Sequence, residues 1–142
     1  MIGPVVLLAT FAFCRSRKKD AKYNFDPNGK PGGFEPFLNM YLRAAEFIIG
    51  LAAGSIVLLV GTCALHSPSG LLPWFYRSPL LALGYSVILG VSFIVWQINR
   101  YESYRRGEPH TALKYSISET LGYSALACFC IGYMYLAWVV AR

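Results

Sequence analysis

Apolar and polar positions fall into blocks along this chain, instead of the alternation of a half-buried strand or the stripe of a surface helix. Three windows hold no Asp, Glu, Lys or Arg: 47–65, 80–99 and 120–141, of 19, 20 and 22 residues. A hydrocarbon core about 30 Å thick takes about 20 helical residues to cross, so each window is long enough to span once. Backbone groups in lipid must be satisfied within helices or closed barrels. Continuous apolar runs lack the alternation of barrel strands. The pattern therefore predicts helices over 40–66, 79–101 and 113–141.

The amino terminus reads differently. Residues 1–14 are wholly apolar and are stopped by the run Arg15, Arg17, Lys18 and Lys19. As a helix they would rise about 21 Å, less than the usual core. A signal peptide fits poorly, because the basic residues follow the apolar stretch. A short first span or a membrane-embedded anchor remains. The expected fold is an all-α integral membrane protein of three transmembrane helices, with a short fourth at the amino terminus as an open addition. The expected organisation is an apolar anchor or first helix at 1–14, a basic and then Gly/Pro-rich inner-side linker at 15–39, and a three-helix membrane domain at 40–142.

Composition sharpens this picture. Hydrophobic residues make up 56% and charged residues 14%, against about 25% charged in a typical soluble domain. A water-exposed surface cannot be built from that supply. Of the 13 basic residues, all but Arg77 and Arg142 precede the first long span or lie between the second and third. The positive-inside rule then puts 15–43 and 100–114 on the cytosolic or equivalent inner side, with 66–78 and the carboxyl terminus opposite. Charge bias names no organelle; architectural analogy makes the mitochondrial inner membrane one candidate. Arg15, Arg17, Lys18 and Lys19 are suited to anionic lipid headgroups, and structural lipids are the only bound small molecules expected. A nucleic-acid partner is not expected, because the basic patch adjoins apolar helices and carries no recognition motif. Trp74, Phe75 and Tyr76, with Tyr135 and Trp138, suit an outer aromatic belt, and Trp96, Tyr101 and Tyr104 an inner one.

Small residues recur at helical spacing in each span. Gly50 and Gly54 form a GxxxG pattern that Gly61 continues; Ala82, Ser86 and Gly90 repeat the spacing, as do Ser124, Cys128 and Gly132. Such faces let helix backbones approach closely. Two carboxylates, Glu46 and Glu119, lie at the inner ends of the first and third spans, just outside the charge-free windows and at similar expected depth. Arg43 and Glu46 are spaced to pair along one helix. Tyr115, Glu119 and Tyr123 form a second polar stripe. Each reads as a polar clasp between helices or subunits, or as a proton or cation relay, since ionisable groups in membrane helices usually face protein or water.

Other chemistry is sparse. His66 and His110 are expected on opposite sides, away from any shared metal. Cys128 and Cys130 are two apart and point away from each other on a helix, and Cys14 and Cys63 lie in apolar surroundings that favour buried, inert thiols. No CxxC, HExxH, GxSxG or Walker loop is present, so no reaction, catalytic residue, metal or cofactor is assigned. The leading expectation is a non-catalytic structural or assembly subunit of a hetero-oligomeric membrane complex, packing through small-residue helix faces and interfacial loops. The alternative is a component of a small ion or proton channel or transporter using Glu119 or Glu46.

Overall fold

The computed structural model describes residues 2–16, 35–66, 74–106 and 111–141. These form four helices: α1 (Ile2–Ser16), α2 (Glu35–His66), α3 (Trp74–Arg105) and α4 (Ala112–Val140). Three contain segments long and apolar enough to cross a membrane: Leu38–Thr62, Phe75–Ser103 and Leu113–Val139. Helix α1 carries a shorter apolar stretch, Gly3–Ser16. Of the interfacial basic run, Arg15 ends α1, exposed, while Arg17, Lys18 and Lys19 lie outside the described residues, as does His110.

Helices α2 and α3 run past their charge-free windows at both ends, and α4 starts eight residues before its own. Helix α2 starts at Glu35 with Pro36 in its first turn, where the missing N–H has no intrahelical partner to lose. The residues 35–39, expected as linker, are therefore helical. Helix α3 departs most from expectation: it begins at Trp74 and carries Pro79 in its interior. That proline gives up the bond to the Phe75 carbonyl but keeps a helical φ. The orphaned carbonyl sits in the first turn, close to the helix end, where such losses are best tolerated. The Pro79 ring itself is fully buried.

Helix α3 packs chiefly against α4, with α2 on another flank; α1 lies mainly on α4 and touches α3. The α3 seam follows from its sequence. Pro79, Leu83, Ser86, Gly90, Phe93, Gln97 and Arg100 are all buried, and their spacing alternates four and three, the repeat that keeps one seam facing a neighbour. Against it α4 supplies small residues. A Cβ on Gly132 would stand 3.0 Å from the Leu83 side chain, and one on Gly122 would stand 3.2 Å from the Phe93 ring. Leu83 with Gly132, Phe93 with Gly122 and Arg100 with Tyr115 fix α3 and α4 as antiparallel. Ile49 closes the α2–α3 contact, lying 2.8 Å from where a Gly90 Cβ would be, and the Tyr85 ring covers Gly3 just as closely.

Candidate functional site

Two features stand out: a polar seam through the bundle and an open face on α2. The seam begins at mid-span. Ser86 is fully buried and its hydroxyl donates to the Ala125 carbonyl at 2.9 Å. The preceding residue of α4, Ser124, shares a 2.5 Å hydrogen bond with Thr10 of α1. The Thr10 hydroxyl also lies 2.8 Å from the Val6 carbonyl. With its single proton sent there, Thr10 receives the Ser124 proton, and both hydroxyls are satisfied in an apolar bundle.

Farther toward the basic end the seam becomes more polar. Gln97 and Arg100 of α3 and Ser116, Ser118 and Thr120 of α4 are all buried. Thr120 donates back to the Ser116 carbonyl at 2.6 Å. The Trp96 indole N–H reaches the Lys114 carbonyl at 3.4 Å. The Arg100 guanidinium lies over the Tyr115 ring, 5.5 Å from its centroid, within the range of a cation–π contact. Beyond it Glu102 and Arg106 form an exposed pair at 3.7 Å.

The charge pattern puts Arg100 at the inner edge, in the last turn of the helix expected over 79–101. It lies well inside α3, which runs on to Arg105, and on the buried seam. Its signal was readable in retrospect: Gln97 and Arg100 continue the four-three spacing that Ser86, Gly90 and Phe93 establish. Ser116, Ser118 and Thr120 were missed for a related reason, since hydroxyls barely interrupt an apolar run.

The expected small-residue faces divide. Ala82, Ser86, Gly90, Ser124, Cys128 and Gly132 are all buried between helices. Gly50, Gly54 and Gly61 are not: each is exposed, with no atom within 4 Å of where a Cβ would stand. The buried face of α2 is the opposite one, carrying Leu38, Ala45 and Ala52. Between α2 and α4 the Ser55 and Tyr133 hydroxyls are hydrogen-bonded, and Ser55 also donates to the Leu51 carbonyl at 2.8 Å.

The two expected polar stripes also differ in setting. Arg43 and Glu46 are both exposed on α2, and among the described residues no ion pair joins them. Tyr115 and Glu119 are half-buried, whereas Tyr123 is exposed, so that stripe turns from the bundle to its outside. Tyr135 and Trp138 form a tilted ring pair at 5.7 Å. Cys14 and Cys128 are buried and Cys130 is exposed. Among the described residues no group of three His, Cys, Asp or Glu is placed to hold a metal ion.

No family model matches the chain, and no curated protein or solved structure is significantly similar to it.

Proposed function

We propose that the chain is a non-catalytic structural or assembly subunit of a larger membrane complex. One observation carries the reading: α2 contributes a span-length helix to the bundle, yet no described residue covers its glycine face. Two of its neighbours use the same kind of small-residue face to pack within the chain, as Gly90 does under Ile49 and Gly132 under Leu83. A third such face, with no described residue against it, is suited to a helix from another chain of the assembly, because close backbone approach is what holds helices together in lipid.

The register of the helices supports the orientation read from charge. Arg15, Arg43, Arg100, Arg105 and Lys114 fall at one end of the bundle and Arg77 at the other, by the pairings of Thr10 with Ser124, Gly3 with Tyr85, Ile49 with Gly90, Ser55 with Tyr133 and Arg100 with Tyr115. In this reading the end rich in Arg and Lys faces the inner side and its basic residues meet anionic headgroups.

Native purification in mild detergent, with mass analysis of every co-purifying chain, tests the proposal. Recovery with a reproducible set of distinct membrane subunits is expected, and Gly54→Leu should lower that yield while leaving insertion intact. Recovery of the chain alone would overturn the reading. Flux that Glu119→Gln abolishes with assembly unchanged would put transport in its place.

A further inference from the structure

We infer that the open face of α2 is a homodimer interface, on which Arg43 of each copy pairs with Glu46 of the other. This rests on the assembly reading above and names the occupant of the open face.

The charged residues carry the argument. Arg43 and Glu46 lie within the Leu38–Thr62 span and both are exposed. Ile49 packs against Gly90, which stands at the middle of the charge-free 80–99 window of α3, so Glu46, three residues or about 4.5 Å along α2 from Ile49, lies near the middle of the bundle. Its short side chain cannot reach headgroup water from there, whereas the longer Arg43, another turn outward, can snorkel. A carboxylate at that depth is expected to face protein or water. Among the described residues neither is supplied: the bundle packs on the opposite side of α2, against Ala45, Ile49 and Ala52.

At 100° per residue, Arg43, Phe47, Gly50, Gly54 and Gly61 point within about 60° of one another, and Glu46 flanks Arg43 by about 60°. The face thus presents one cation and one anion a single turn apart beside a groove that three glycines leave open. Its charge complement is its own image. Two copies inserted in the same orientation are related by a dyad along the membrane normal, so equivalent residues stand at equal depth. An isologous contact then forms the Arg43–Glu46 pair twice. Gly50 and Gly54 at the crossing let the backbones come close enough for those side chains to meet. A different partner would have to bring both charges at matching depth.

The test uses the full chain in lipid vesicles at falling protein-to-lipid ratio, with copies per particle counted by single-molecule photobleaching. Two copies are expected for the unaltered chain. Glu46→Arg and Arg43→Glu should each weaken association about tenfold or more. The double exchange, Arg43→Glu with Glu46→Arg, should restore it, and helix content by circular dichroism should be the same in all four. Single copies at every ratio, or a double exchange as weak as either single change, would overturn the inference. If the natively purified assembly holds one copy among other subunits, the homodimer fails and the assembly reading stands. If the chain purifies as single copies with nothing else, both fail.

Discussion

Thr10 and Ser124, 114 positions apart in the chain, share a 2.5 Å hydrogen bond that pins the short helix α1 to the middle of α4. Interhelical hydrogen bonds in bundles of this kind average about 0.6 kcal/mol, because hydroxyls in a loosened state find other partners. A double-mutant cycle of Thr10→Val and Ser124→Ala, read by unfolding in mixed micelles, should give a coupling of about that size. A coupling of zero would mean that shape alone holds α1 in place.

Gly3 makes a sharper test of the same docking. Its missing Cβ leaves room for the Tyr85 ring, which would otherwise lie 2.7 Å away. Gly3→Leu should lift α1 from the bundle. Cys14, now buried, should then react several-fold faster with a membrane-permeant maleimide, measured in a chain whose other cysteines are alanine. An unchanged labelling rate would show that α1 is held without that contact.

The glycines of α2 and α3 should separate cleanly. Gly90→Leu drives new atoms into Ile49 and should cost the bundle about 1–3 kcal/mol, the usual penalty of overpacking. Gly54→Leu meets only open space and should leave the unfolding midpoint of the single chain unchanged. Equal losses at both sites would place Gly54 inside the bundle after all.

At the polar end, Tyr115→Phe keeps a ring under Arg100 and should be tolerated. Tyr115→Leu removes the ring and should destabilise the bundle by about 1 kcal/mol, the order of a partly desolvated cation–π contact. Equal stabilities for the two variants would assign the Tyr115 contact to packing alone.

Much of this architecture was legible in the amino-acid pattern because lipid imposes a simple rule. A helix that must satisfy its own backbone in hydrocarbon shows itself as a run without charge, and the three long windows coincide with α2, α3 and α4. What the pattern could not supply was direction. Gly50 with Gly54 looks like Ser86 with Gly90 in sequence, yet one pair faces outward and the other lies in the seam, since spacing defines a face without saying what covers it. Helix ends were also blurred. Pro79 looked like a boundary, but a proline one turn inside a helix forfeits only one bond. Charge at Arg100 signals the end of a span but not burial, whereas its long stem and the Tyr115 ring let α3 carry it into the seam.

The placement of α1 has a consequence for biogenesis. Its main support, α4, is synthesised after the other three helices, and the residue that grips Thr10 follows it by 114 positions. At typical elongation rates the gap is on the order of ten seconds. Through that interval α1 has no Ser124 to bind and must rest at the membrane on its own apolar surface. Completion of the bundle is therefore a post-insertion event, gated by arrival of the carboxyl-terminal helix, and a chain stopped before α4 would leave its first helix without its principal dock.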